Sequence, residues 1–400
     1  MRRLNPFEEN FERSLKKLLD GARPKVLGAA VSGGADSVSL LLALTALRDA
    51  NERGAANERK PKSGGGAAFP KIVAITVDHS IRPEEESAGD AAFVKNLCAS
   101  LGVDCIVKKL ERGEADRVAL ERSKGLEDAA RFLRYQKFEE AAKESGAEFI
   151  LLAHNQNDFL ESLLMRFLQG SASGAASGIA ARRGIYLRPL LQTSRAQIEE
   201  YLRSKKIEWR TDATNCDNSY LRNKIRNSLV PFLDENFNGW KKALLAGAEK
   251  AALEDEALED FLGEKLQAQE APNENSSQAQ EAPAALGAEF SRSLFLSMPV
   301  ALRQRLLYRA LDSFGQETRV PYSFVREICA WPEKDFKNIS AAGFEAHSKK
   351  DKVFIKKSQK EATESGFFDI IYGSEFLGEP FVLRSLAVGD APSRAPGDAF

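Results

Sequence analysis

The chain has 400 residues, with 57 Lys and Arg against 58 Asp and Glu and a formal net charge of −1. That balance excludes a uniform positive field, so any nucleic-acid contact has to come from local basic patches. The length suggests two or three domains. No segment is apolar for long enough to span a bilayer, and Met1-Arg2-Arg3-Leu4-Asn5-Pro6 has no apolar run behind it, so a cytoplasmic protein with no membrane partner is expected.

In chain order, Phe7 to Asp20 reads as an amphipathic helix. Lys25 to Val31 is a short apolar run that ends in Ser32-Gly33-Gly34-Ala35-Asp36-Ser37, and a Leu/Ala-rich segment follows from Val38. This is strand, tight turn, helix. Glycines at such a junction let a ligand approach peptide N–H groups, and the helix N-terminus adds a positive pole suited to an anion. The turn lacks the lysine of a Walker A loop and the three-glycine spacing of a dinucleotide fingerprint. What remains is a pyrophosphate-gripping loop of the kind that splits ATP between its α and β phosphates. Ser32 to Ser37 are the expected ATP contacts, with Asp36 placed for a metal-bound phosphate.

Asp49 to Pro70, rich in Gly, Ala, Asn and Lys, reads as a surface insertion. A strand over Ile72 to Val77 ends in Asp78-His79, a helix runs from Glu84 to Ser100, and a strand follows at Cys105 to Val107. A helix over Leu126 to Ser145 leads into the strand Phe149 to Ala153, which ends in His154. This rhythm predicts an α/β fold with a doubly wound parallel sheet, whose ligands bind at the carboxyl ends of the strands. Ser32, Asp78 and His154 all fall at such ends. Beyond His154, Asp158 and Glu161 share a helix face and, with Asp36, form the expected magnesium ligands, because magnesium takes oxygen donors and bridges phosphates. On the arginine helix, Arg131 has the fork geometry for a phosphate, while Arg134 reads equally as a solvated charge.

Gly170 to Gly178 is a small-residue loop suited to closing over a substrate. Thr193 or Ser194 caps the next helix. In Tyr220 to Asn227, Arg222 aligns with Arg226 and Asn223 with Asn227, a face suited to phosphate and base edges, with Lys224 between them. Helices are expected over Trp240 to Leu266 and Ser291 to Phe314, separated by a disordered linker near 267–283. Short strands follow, at Phe344 to His347, Val353 to Ile355 and Phe381 to Leu383. Cys98, Cys105, Cys216 and Cys329 are scattered, with no Cys-x-x-Cys, and read as small apolar side chains. The expected organisation is a catalytic domain over 1–215, a helical substrate- and tRNA-binding domain over 216–330, and a small β-containing tRNA-binding domain over 340–400. No internal repeat is apparent.

The motifs, taken together and in this order, resemble the tRNA(Ile)-lysidine synthetases, a branch of the pyrophosphate-loop (N-type ATP pyrophosphatase, adenine-nucleotide α-hydrolase-like) superfamily. They are Ser32 to Ser37, Val77-Asp78-His79-Ser80-Ile81-Arg82-Pro83, Glu127 to Tyr135, His154 to Ser162, Arg188-Pro189-Leu190-Leu191, and Asp212 through Asn215 to Arg226. Where the family's acidic segment has Asp, Gln and Thr, this chain has Asn157, Phe159 and Ser162. It ends at Phe400 without the family's usual basic ending, so its last domain reads as incomplete. The resemblance implies ATP and Mg2+ as cofactors and a CAU-anticodon tRNA(Ile) with free L-lysine as substrates. It implies Asp36, Asp158, Arg131 and His154 as catalytic residues, Asp78 and His79 beside the nucleotide, and Arg134, Arg222, Asn223, Lys224 and Arg226 on tRNA. The oligomeric state stays open, a homodimer included. The rivals are a tRNA thiolase on the same fold, which the dispersed cysteines disfavour, an amide-forming ATP pyrophosphatase, and a catalytically inactive ATP- or tRNA-binding relative.

Overall fold

The computed structural model describes residues 4–57, 68–78, 84–122, 125–170, 178–210, 221–270, 287–313, 320–330, 339–341, 343–349 and 351–357. The chain forms two units, Met1–Gly263 and Glu264–Phe400.

The first unit is built on a six-stranded sheet in the order β3-β2-β1-β4-β6-β5. Its strands are β1 (Val26–Ala30), β2 (Lys71–Asp78), β3 (Asp104–Lys109), β4 (Phe149–Leu151), β5 (Arg182–Arg183) and β6 (Tyr186–Leu187). All neighbours pair in parallel except the edge hairpin β5–β6. The sequence rhythm therefore holds, and the hairpin is an addition to it. β1 sits in the middle because it is apolar on both faces, as a doubly covered strand must be. Gly28 at its centre is needed there: a Cβ would come within 3.1 Å of Ile75 and 3.4 Å of Ile150.

Both faces of the sheet are covered. On one, α1 (Pro6–Leu19), α2 (Ala35–Asn57), α3 (Glu84–Ser100) and α7 (Arg195–Lys205) bury a core that includes Phe11, Leu15, Leu40, Leu41, Leu44, Val94, Ile198 and Leu202. On the other, α5 (Leu126–Ser145) packs Phe138, Ala141 and Ala142 against Ile75, Ile150 and Tyr186. α4 (Glu114–Glu121) lies against α5 through Ala115 and Leu133. α2 is longer than the sequence pattern suggests, continuing through Asn57 into the stretch read as an insertion.

α6 (Gln156–Leu168) begins at an Asn155 cap, and α7 at a Ser194 cap closed by Gln197, which decides between the two candidate caps there. α8 (Leu221–Lys224), a π-helical turn over Ile225–Leu229 and α9 (Val230–Asn236) follow as one wound segment. The wide turn precedes Pro231, whose ring cannot accommodate the carbonyl four residues back in an ordinary α-turn. α10 (Trp240–Glu270) runs past Leu266 into the stretch expected to be linker.

The second unit carries an antiparallel sheet in the order β7-β10-β9-β8, from β7 (Gly287–Ser291), β8 (Ile339–Ala341), β9 (Phe344–Lys349) and β10 (Lys352–Lys357). Its helices are α11 (Arg292–Ser297), α12 (Val300–Ser313) and α13 (Tyr322–Cys329). The single helix expected from Ser291 is thus broken at Pro299, and Arg303 holds the break by donating to the carbonyls of Met298, Leu296 and Cys329. The expected strand at Phe381 to Leu383 and most of the expected linker lie outside the described residues, as do His79 to Pro83, Ser171 to Ser177 and Thr211 to Tyr220.

Candidate active site

The strand order reverses between β1 and β4, so the crevice lies at the carboxyl ends of these two strands, where open α/β sheets bind ligands. The loop from β1 supplies one wall. Gly33 has φ +85°, and a Cβ there would also come within 3.3 Å of Phe93, so the turn requires glycine twice over. Ser37 is buried and braces the loop from inside: its Oγ accepts from the Ser32 N–H at 3.1 Å and donates to the Gly34 carbonyl at 2.9 Å. Ser32 stays exposed beside it. The Arg210 N–H donates to the Gly33 carbonyl at 3.0 Å, while its guanidinium pairs with Asp90 at 2.5 Å. These bonds fix a concave turn with the first-turn N–H groups of α2 behind it, where a helix has no internal acceptors for them.

Asp36 stands on the first turn of α2. Its Oδ1 accepts from Asn155 Nδ2 at 2.9 Å and its Oδ2 from Arg195 Nη1 at 2.7 Å. Burial pushes its pKa up, against the pull of Arg195 and Asn155 and with a further push from Asp158. Asn155 serves two purposes: its Oδ1 also caps α6 by accepting from the N–H groups of Asn157 and Asp158. Asn157 Oδ1 in turn receives the Arg195 N–H at 3.2 Å. In this position the neutral Asn157 links α6 to α7 rather than serving as an acid.

Asp158 and Glu161 face α8. Arg222 donates to Asp158 Oδ1 at 2.8 Å and Glu161 Oε2 at 2.9 Å, and Arg226 to Glu161 Oε1 at 2.7 Å and Oε2 at 2.9 Å. The Glu161 side chain is 4% exposed. The same two arginines thus engage both carboxylates: Arg222 and Arg226 each pair with Asp158 and with Glu161. Among the described residues no group of three His, Cys, Asp or Glu side chains is gathered to hold a metal. Two carboxylates near the loop are nevertheless the donor set magnesium uses when phosphate oxygens complete its shell. Of the residues expected on tRNA, Arg222 and Arg226 are engaged by these carboxylates, Lys224 is exposed and Asn223 half-buried.

His154 follows β4. Its Nδ1 accepts from Arg188 Nε at 3.3 Å. Burial and the charges of Arg188, Arg131, Arg222 and Arg134 push its pKa down to about 3, so it is neutral at physiological pH. Arg131 lies along Tyr135, its guanidinium carbon 5.1 Å from the ring centroid, and Arg134 is exposed one turn on. Arg131 and Arg188 also line a groove of about 1060 Å³ between α5 and the β5–β6 hairpin, with Lys143, Arg183, Tyr135 and Tyr186 among its other walls. Asp78 ends β2, its carbonyl taking the Leu110 N–H at 2.9 Å.

Sequence reasoning missed Asn155, Arg195 and, as a site residue, Arg188. Asn155 was signalled by the Asn-x-x-Asp capping pattern and Arg188 by its place in an apolar run. Nothing local marks Arg195, whose partner Asp36 lies 159 residues away. Cys98 and Cys329 are buried free thiols and Cys105 a half-buried one.

Residues 7–233 match the PP-loop domain family. A tRNA(Ile)-lysidine synthase of Treponema denticola is 37% identical over 353 residues, covering 87% of this chain and 70% of the relative. One of Treponema pallidum is 38% identical over 333 residues, covering 82% and 64%, so the chain spans about two thirds of these relatives' length. One of Deinococcus radiodurans is 42% identical over 229 residues, 57% of this chain and 34% of the relative. Among solved structures, the U34-tRNA thiolase NcsA of Methanococcus maripaludis aligns over 62% of this chain and 80% of its own, at 16% identity and a TM-score of 0.47.

Proposed function

The chain belongs to the tRNA(Ile)-lysidine synthase family, and on that premise we propose that it joins free L-lysine to carbon 2 of the wobble cytidine of a CAU-anticodon tRNA(Ile), converting ATP to AMP and pyrophosphate. The observation that carries this reading is the crevice itself: an anion-gripping loop, a raised-pKa carboxylate and a neutral histidine among four arginines.

In the first step the cytidine O2 attacks the α-phosphorus, and the bond to the bridging oxygen of pyrophosphate breaks. The turn over Ser32 to Ser37 and the α2 N-terminus stabilise the charge that moves onto the leaving group. Asp36 and Asp158 would hold magnesium, and the repulsion that Asp158 exerts on Asp36 is what a dication relieves. When bound, the ion supplies positive charge to the phosphates. In the second step the lysine ε-amine attacks carbon 2, the bond from carbon 2 to the adenylate oxygen breaks, and AMP leaves. A carboxylate takes the amine proton. Asp36 and Asp158 are the two candidates for that base, each already paired with an arginine, Arg195 and Arg222 respectively. The groove along α5, where Arg122, Arg131, Lys143, Arg183 and Arg188 outnumber Asp128 and Glu139, shares Arg188 with His154 and suits an RNA strand, whose phosphates meet the arginines. Among the described residues of this unit the cysteines, Cys98 on α3 and Cys105 on β3, belong to the packed core, whereas a thiolase would place cysteines at the crevice.

The test is pyrophosphate release from ATP, with magnesium, lysine and a CAU-anticodon transcript omitted in turn. Release that depends on that transcript supports the reading. Release indifferent to tRNA contradicts it.

A further inference from the structure

Arg188 is 5% exposed, an unusual place for a guanidinium. Three bonds pin it. Its N–H donates to the Ala181 carbonyl at 2.9 Å, its Nη1 to the Ala180 carbonyl at 2.8 Å, and its Nε to His154 Nδ1 at 3.3 Å. An arginine has five N–H donors and no acceptor, and keeps its proton at any pH a protein survives. The His154 Nδ1 that faces it therefore has a lone pair, and the ring proton sits on Nε2.

We propose that Arg188 is a positioning residue that locks His154 as the neutral Nε2–H tautomer, so that His154 serves the crevice as a hydrogen-bond donor and never as a base. The groups around the ring agree. Arg188 faces it from the end of β6, Arg131 and Arg134 from α5, and Arg222 from α8, and all four oppose a positive imidazole. A donor without charge suits an oxygen that gains negative charge during reaction, such as a phosphoryl oxygen or the departing adenylate oxygen, and it needs no proton transfer. This consequence rests on the lysidine-forming reading; the tautomer does not.

The experiment is nitrogen NMR of the full chain with 15N-labelled histidine. Its three histidines make the His154 signals assignable by comparison with His154→Gln. The wild type is expected to show the Nε2–H pattern unchanged from pH 8 to pH 5. In Arg188→Met the same ring should sample both tautomers and take up a proton nearer the ordinary histidine range, about 6.5. An Nδ1–H pattern in the wild type, protonation above pH 5, or an unaltered His154 spectrum in Arg188→Met would overturn the proposal. The wild-type spectrum decides even if the variant does not fold. In turnover, His154→Gln, whose amide N–H can stand near the lost Nε2–H, should retain more kcat than His154→Phe by about tenfold or more, with little change in KM for ATP. Equal losses in the two variants would remove the donor role. If the spectra are as expected but no tRNA-dependent turnover exists, the functional reading fails and the tautomer lock stands.

Discussion

Replacing Glu161 by Gln tests the clamp between α6 and α8. The wild-type carboxylate, its side chain 4% exposed, accepts from Arg222 Nε and from Arg226 Nε and Nη2 at 2.7–2.9 Å. Hydrogen bonds to charged groups contribute about 1.5–3 kcal/mol each, and removing one partner of a buried pair typically costs about 3–5 kcal/mol. Here the arginines keep contact with water, at 26% and 36% exposure, and glutamine keeps one acceptor oxygen. These reduce the expected loss to about 2–4 kcal/mol. At about 2–4 °C per kcal/mol for a unit of this size, the unfolding midpoint should fall by about 4–16 °C. Thermal unfolding by circular dichroism reads the single variants and the double variant Glu161→Gln with Arg226→Met. The double variant should be less destabilised than the two single effects combined, because it does not leave Arg226 facing a neutral partner. A Glu161→Gln midpoint within about 1 °C of wild type, with additive effects, would refute the clamp.

Gly33→Ala should strain the loop by about 1–2 kcal/mol, from its φ of +85° and from the Phe93 contact at 3.3 Å; isothermal titration should show weaker binding of ATP, and unaltered affinity would contradict the geometry. His154 is neutral when folded, with its pKa pushed down to about 3, but titrates in the ordinary range when unfolded. Between those values the unfolded state binds more protons, so this residue's contribution to stability is lost as pH falls from about 6.5 toward 3, by at most about 1.4 kcal/mol per pH unit. Chemical denaturation at pH 4–7 should show a shallower dependence for His154→Gln than for wild type. Asp36 has the opposite sign: its pKa is raised by burial, so its contribution is present below the ordinary Asp value of 3.8 and is lost as pH rises through the folded value. The stability of Asp36→Asn relative to wild type should therefore rise with pH above 3.8 and then level, and a fall would show that Arg195 outweighs burial.

The parts of the fold legible in sequence were those with local periodicity. β1, β2 and β4 are apolar runs that end in a polar residue, and the glycine turn after β1 announces itself. The β5–β6 hairpin was not legible, because two-residue strands carry no period. The helix expected from Ser291 is two, α11 and α12, because the break at Pro299 was masked in the sequence by the apolar spacing on either side. In the site, Asp36, Asp158, His154 and Arg222 could be singled out through type and spacing, but their pairings could not. Asn155 bonding Asp36, Arg195 reaching the same carboxylate and Arg188 facing His154 are contacts between distant segments, set by the sheet order rather than by neighbours in the chain. The shared helix face of Asp158 and Glu161 was legible, but not that Arg222 and Arg226, on the helix after Tyr220, engage both carboxylates.

The most direct test of the central claim is the product itself. Labelled lysine, ATP and magnesium are incubated with a CAU-anticodon tRNA(Ile) transcript, and the anticodon nucleoside is identified by mass. The account predicts one lysine per tRNA, at the wobble cytidine, with AMP released in equal amount. Absence of label from that cytidine under conditions where a known family member supplies it would contradict the account.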